Sequence, residues 1–318
     1  MKKLIPIVVV ILSLALAGCV NPPGKQGEGG GEQTEENLEN PIIQQIDFSW
    51  GDITYGTTEL ITKVKINNPN QVEIPLKSVN LDYIIDDIKL GETILTNVKN
   101  LPANQSTDLT FTTTIDNAKI SDVWIEHIKN GEVSTVNLNG YLLFDLKITD
   151  YKHNINRQKE VSTDILSVFD NFEGYTVYFG PMNKFSITIT SVEAEWGTVT
   201  FEKTPIELAI KIRNNNEIAP VYIPKLNYQI KANDIEVAKG STEQEETIRA
   251  GQEKTIHATI YISNAMIDDC WVSHLQHNEV TTITVNLTGE IEIQGQTYAN
   301  VDLTPSDNSV TIQTNLLP

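Results

Sequence analysis

Cysteine is nearly missing from this chain: only Cys19 and Cys270 occur in 318 residues, far apart. That count excludes a disulfide-stapled fold and a Cys-based zinc site. Basic residues are also scarce, 23 Lys and Arg against 42 Asp and Glu, for a net charge of −19. Phosphate binding needs clustered Lys and Arg, so nucleic acid is excluded as a partner, as is electrostatic docking to anionic headgroups. The acidity fits an exported protein kept soluble and monomeric by its charge. Aromatics make up a modest 7%, yet 40% apolar residues suffice for packed cores. Three chemical signatures are absent: the nucleophile elbow Gly-x-Ser-x-Gly, the phosphate-cradling P-loop, and the calcium loop Asp-x-Asp-x-Asp-Gly.

The long hydrophobic run is confined to Leu4–Ala17, after Lys2 and Lys3. At 14 residues it is short for a bilayer span and fits the hydrophobic region of a secretory signal. Leu16-Ala17-Gly18-Cys19 closes it and reads as a lipobox, with cleavage before Cys19 and lipid on its thiol. Residues 1–18 are thus read as a lipoprotein signal peptide. Residues 19–40, centred on Gly27-Glu28-Gly29-Gly30-Gly31, form a flexible tether holding the remainder off the membrane.

Beyond the tether the chain repeats itself. Trp50-Gly51 aligns with Trp196-Gly197, and Leu60, Thr62, Val64 and Ile66 with Ile206, Leu208, Ile210 and Ile212, an offset of 146. Both sets alternate with residues such as Lys63 and Lys211, which is the pattern of a strand with one buried face. Past the turn the offset becomes 145, placing Pro75 on Pro220, Leu81 on Leu226, Tyr83 on Tyr228 and Ile85 on Ile230. One segment switches period. Ile120, Val123, Trp124, His127 and Ile128 share a helical stripe, and Trp271 and His274 repeat two of its positions. Asp116 or Asn117 is placed to cap that helix, and Asn130-Gly131 to end it. A last strand repeats as Val136–Gly140 and Val285–Gly289. Strands without alternating helices indicate antiparallel β-sandwiches, each with one short α-helix. The expected domains are residues 41–166 and 183–318, with 167–182 as a connector whose aromatics, among them Phe169 and Phe172, pack at the junction.

Asn68-Pro69-Asn70 ends an alternating strand, followed by Ile74-Pro75, Leu81-Asp82-Tyr83, Gly91 and Leu101-Pro102-Ala103. In this ordered set the chain resembles the water-stress and hypersensitive-response (WHy) domain of the late embryogenesis abundant group 2 family, in a tandem lipoprotein form. The resemblance covers each repeat. It implies tandem sandwiches of the immunoglobulin or fibronectin III type and a role in tolerance of dehydration or other stress, without catalysis or cofactor. The second copy has Asn214-Asn215-Asn216 and no proline. Proline fixes φ and removes a donor, while Asn side chains bond their own backbone, so the shared feature is expected to be turn geometry rather than chemistry.

The five histidines are His127, His153, His257, His274 and His277. His127 and His274 repeat at one helical position and read as half-buried residues with satisfied nitrogens, since neither copy has ligand-spaced partners. Asp86-Asp87 sits at a strand end and Asp268-Asp269 in the first half of a helix, where negative charge suits the dipole. Cys270 reads as a small buried hydrophobe, because acidic neighbours raise a thiol pKa. Asn104 and Asn286 begin glycosylation sequons. The sequence therefore points to a membrane-tethered, extracytoplasmic, non-enzymatic protein of stress protection or binding. Its partners would be the membrane, through Cys19, and client proteins or cell-surface components. A tandem-sandwich structural or adhesion protein is the competing reading. An enzyme would need a deep pocket gathering His274, His277 and Asp269.

Overall fold

The computed structural model describes residues 38–318. The signal segment, Cys19 and the tether through residue 37 lie outside the described residues.

Seven strands form the first sandwich: β1 Ile42–Ile53, β2 Thr57–Asn68, β3 Ile74–Ile85, β4 Ile88–Leu101, β5 Gln105–Asp116, β6 Val133–Asp145 and β7 Asp150–Ser162. All pair antiparallel in the order β1-β2-β5-β4-β3-β6-β7. The β4–β5 join is only two residue pairs, Gly91–Ile115 and Glu92–Thr114, so the path folds into a β1-β2-β5 sheet facing a β4-β3-β6-β7 sheet. That is the fibronectin III arrangement. Gly91 permits the join, since a Cβ there would lie 2.3 Å from the Thr114 carbonyl oxygen. Period-two alternation is visible on β2, where Leu60, Thr62, Val64 and Ile66 are buried and Lys63 and Lys65 are exposed. Helix α1, Ile120–Lys129, spans the gap between β5 and β6, and Asp116 accepts the Ala118 amide at 3.1 Å to start the turn ahead of it.

The second sandwich repeats this with β9 Phe185–Trp196, β10 Lys203–Asn214, β11 Val221–Ala232, β12 Ile235–Ile248, β13 Glu253–Ser263, α2 Ile267–Gln276 and β14 Val280–Ile293. Two differences stand out. The last strand is split into β15 Gln296–Asp302 and β16 Ser309–Gln313, which pair with opposite halves of β14. An extra edge strand, β8 Thr176–Phe179, pairs with β9. Before β8 the chain makes a 3-10 turn at Leu166–Phe172, with Phe169 and Phe172 buried.

One sequence alignment needs correction. The 145 offset for the third strand and the 149 offset implied by matching Val136–Gly140 with Val285–Gly289 are both slipped by two residues. Ile85 pairs with Val136 and Ala232 with Ile283; Tyr83 pairs with Gly91 and Ile230 with Ala238. The hairpin turns agree, since Asp86 and Asn233 accept the Thr135 and Thr282 amides respectively. A single offset of 147 therefore runs from β3 to β6, and Tyr83 corresponds to Ile230, not Tyr228. A two-residue slip keeps every side chain on its own face, so hydrophobic alternation could not detect it.

Strand directions place the ends of β1, β3, β5 and β7, the start of β2 and β6, and helix α1 at one end of the first sandwich. The same ends of the second sandwich meet them, with α1 against α2. The two Asn-rich turns lie at the opposite poles.

Candidate functional site

The junction between the sandwiches is where the repeated residues converge, and it is built twice. Trp50, near the end of β1, donates its indole N–H to Glu279 Oε1 at 2.9 Å; Trp196, near the end of β9, donates to Glu132 Oε1 at 3.0 Å. Trp124 of α1 donates to Thr204 Oγ1 at 2.9 Å; Trp271 of α2 donates to Thr58 Oγ1 at 3.1 Å. The rings also interlock edge to face, Trp50 with Trp271 at 6.0 Å and Trp124 with Trp196 at 6.1 Å between centroids. Residue i of one repeat touches j of the other, and j touches i. This is the pattern of an isologous two-fold interface, here inside one chain.

Each clamp is supported from behind. Thr58 passes its proton to Asn117 at 2.9 Å, and Thr204 passes its own to Asn264 at 2.8 Å. Asn117 and Asn264 then tie down the loop after the first strand through the carbonyls of Thr54 and Thr200. Glu132 and Glu279 are almost fully buried carboxylates, which makes their partners decisive. Glu132 Oε2 accepts from the Thr163 hydroxyl and the Ile165 amide, both at 2.7 Å. Glu279 Oε2 accepts from Thr314 and the Leu316 amide. Both glutamates are left-handed, with φ of +62° and +60°, just after the helix-ending residues Gly131 and Asn278. That backbone turn aims the carboxylate across the junction.

The two helical histidines complete the network. His127 lies 2.8 Å from Ser134 Oγ through Nδ1 and 2.9 Å from Thr163 Oγ1 through Nε2. Thr163 gives its single proton to Glu132, so it must accept from Nε2–H, and Nδ1 accepts from Ser134. His274 repeats the arrangement with Thr281 and Thr314 at 2.8 Å each. Burial lowers both histidine pKa values, opposed by Glu132 and Asp86 around His127 and by Glu279 around His274. Both rings are therefore neutral hydrogen-bonding struts.

A cavity of about 200 Å³ lies across this junction, walled by both sandwiches and the connector's Val168 and Phe169. The lining is apolar, and its hydroxyls and imidazoles are already engaged in the bonds described. By the scaling seen for emptied cores, about 24 cal/mol per Å³, an empty space of this size forgoes on the order of 5 kcal/mol.

The enzyme reading required one pocket shared by three residues, and the geometry separates them. His274 faces the cavity, whereas Asp269 lines a separate depression with Tyr55 and Glu236. His277 is exposed at the end of α2, its Nδ1 2.7 Å from the Ser273 carbonyl. Among the described residues no group of three His, Cys, Asp or Glu is placed to hold a metal. Burial, with Asp269 and Asp268 adding to it, pushes the Cys270 thiol up to about 12. Asp86 and Asp87 are the two left-handed residues of the β3–β4 hairpin turn, at φ +48° and +65°.

The Asn turns are alike without the proline. Asn68 Nδ2 donates to the carbonyls of Val72 and Leu101, and Asn214 Nδ2 to those of Ala219 and Ile248. Asn68 Oδ1 accepts the Asn70 amide and Asn214 Oδ1 the Asn216 amide, each at 3.0 Å. Pro69 follows Asn68 in the first turn; Asn215 takes its place and bonds Ser186 and Thr188. Asn104 is exposed in a turn at φ +53°, while Asn286 is half-buried, with its side-chain oxygen accepting from Asn308. The residues the sequence reading missed are Glu132 and Glu279 with their indole partners. Their signal was present, a Glu at the same place after each helix and a Trp at the end of each first strand.

Fold and junction define a class: two fibronectin III-like sandwiches docked head to head about an internal pseudo-two-fold axis. The late embryogenesis abundant protein family profile matches residues 63–159 and 209–308, one match per sandwich. The chain belongs to that family. Among solved structures it is similar to a protein from Archaeoglobus fulgidus, at 18% identity and a TM-score of 0.37, covering 39% of this chain and 99% of that one. It is also similar to a protein from Arabidopsis thaliana, at 15% identity and a TM-score of 0.33, covering 44% and 92%. A β-glucuronidase of glycoside hydrolase family 2 gives 12% identity and a TM-score of 0.23, covering 76% of this chain and 23% of that one. No curated protein matches the chain.

Proposed function

We propose that the protein is a non-enzymatic, lipid-anchored, extracytoplasmic factor that protects partners during water stress. Family membership of both sandwiches makes it a stress-related protein of the late embryogenesis abundant type. The junction supports the finer reading. Its repeated titratable groups, His127, His274, Glu132 and Glu279, are each held by hydrogen bonds that brace the two sandwiches, which supports a structural role for them. Membrane attachment rests on the Leu16-Ala17-Gly18-Cys19 lipobox. The purified chain should preserve the activity of a drying-sensitive enzyme through dehydration better than an equal mass of albumin. Equal or poorer protection sinks the protective role. Cys19→Ala should move the protein from the membrane to the soluble fraction; unchanged membrane association sinks the anchor.

A second reading, cell-surface adhesion, is favoured by one observation. Met182 and Ile218 are 99% and 86% exposed at the far pole of the second sandwich. Their loops are joined there through the bonds of Ser186 to Asn215 and Asn216.

A further inference from the structure

We propose that the junction cavity is a binding site for a small uncharged hydrocarbon group, a single ring or short alkyl segment, gripped by both sandwiches. The cavity has a specific origin in the sequence. At the corrected offset of 147, the second copy carries a smaller side chain than the first at several positions behind the clamp. Tyr83 becomes Ile230, Ile85 becomes Ala232, Leu90 becomes Val237 and Val123 becomes Cys270. Ile230, Ala232, Val237 and Cys270 all line the cavity. The first copy fills the equivalent space with Tyr83 and Leu90, both at most 1% exposed. The void thus gains room from smaller side chains at four positions of the second copy. The gain is partly offset where Thr281, Ile283 and Ile312 replace Ser134, Val136 and Val161. Ile85 and Val123 of the first copy form the facing wall, and the polar clamp is kept in both.

The chemistry of the walls restricts the occupant. Water needs two to four polar partners, and the cavity's polar atoms are already paired with one another, so water is a poor filler. A charged or strongly hydrogen-bonding ligand would meet the same deficit of partners. A dry apolar cavity of about 150 Å³ takes up benzene or xenon, and this one is about 200 Å³. Val161 and Ile312, at equivalent places on the last strands, are half-buried residues of the lining. Because the walls belong to both repeats, an occupant strengthens their docking.

The test uses the purified full-length mature chain with benzene as probe. Benzene tenfold above its dissociation constant should raise Tm by about 2 °C or more. Giving the second copy the first copy's side chains, Ala232→Ile with Val237→Leu, should raise Tm without ligand and remove at least four-fifths of the benzene shift. A second variant from the same comparison, Cys270→Val, should reduce the shift less. Absence of any benzene shift in the wild-type chain overturns the proposal. So does an undiminished shift in the filled double variant, which would place benzene elsewhere. Should the double variant fold poorly, Cys270→Val decides: a shift smaller than that of the wild-type chain supports the proposal, and an undiminished one overturns it.

Discussion

The two halves of the junction share the hydrogen bonds of the clamp position by position, while the apolar volumes behind them differ. Trp, Thr, Asn, His and Glu stand at corresponding positions in both repeats, whereas Tyr83, Ile85 and Leu90 face Ile230, Ala232 and Val237. The contrast follows from the energetics. A buried donor or acceptor without its partner costs its full desolvation, so these pairs must be complete or absent. Apolar side chains exchange for smaller ones at a graded cost, so volume can drift or be put to use. The clamp is what holds the sandwiches together; the hollow is what distinguishes them.

The sharpest way to break the symmetry of the clamp is at its carboxylates. Glu132→Ala leaves the Trp196 indole, the Thr163 hydroxyl and the Ile165 amide without an acceptor. A loss of about 3 kcal/mol or more is expected from urea unfolding, and Glu279→Ala should match it within about 1 kcal/mol. A much smaller loss at one site would show that the geometric two-fold is not an energetic one.

The indole–threonine pairs come next. Trp124→Phe and Trp271→Phe should each cost about 2 kcal/mol, combining a lost donor with a smaller ring. In double-mutant cycles Trp124 with Thr204, and Trp271 with Thr58, should couple by about 1 kcal/mol. Coupling near zero in both cycles would mean that the rings act by packing alone.

Acid should loosen both halves. Burial lowers His127 and His274 below the unfolded value near 6.5, so between the folded and unfolded pKa values the unfolded chain binds more protons. Their contribution to stability is complete above about pH 6.5 and is lost as pH falls through the folded pKa. Urea midpoints measured from pH 8 to pH 5 should decline below 6.5, and His127→Gln with His274→Gln should flatten that segment. Asp86, which raises His127, is Asn233 in the second copy. Asp86→Asn should therefore carry the decline of the first half to lower pH. A wild-type midpoint independent of pH in this window refutes the strut role.

Much of this fold was legible in the sequence because period-two alternation and the Trp and His landmarks repeat across 146 or 147 residues. Alternation reports face but not register, which is why the third and sixth strands were slipped by two. The Asn turns were readable because a side chain bonding its own backbone is a local event. The junction was not, because Trp50 and Glu279 are 229 residues apart in sequence. Nothing in a strand-end Trp or a post-helical Glu says that the partner lies in the other repeat. The hollow depended on both the register and the junction.

The smallest effect tests that register directly. Sequence identity matches Tyr83 with Tyr228, but their surroundings differ. Tyr83 is wholly buried at the junction and donates its hydroxyl to the Leu316 carbonyl at 2.8 Å; burial, with Glu279 nearby, holds its pKa above the usual phenol range. Tyr228 lies two residues further from the junction, opposite Gly240, where a Cβ would come within 2.6 Å of its hydroxyl. Tyr83→Phe strands a buried carbonyl and should cost about 1 kcal/mol, whereas Tyr228→Phe should stay within about 0.5 kcal/mol of wild type. Equal losses at the two tyrosines would restore the identity-based match and remove the volume comparison on which the hollow rests.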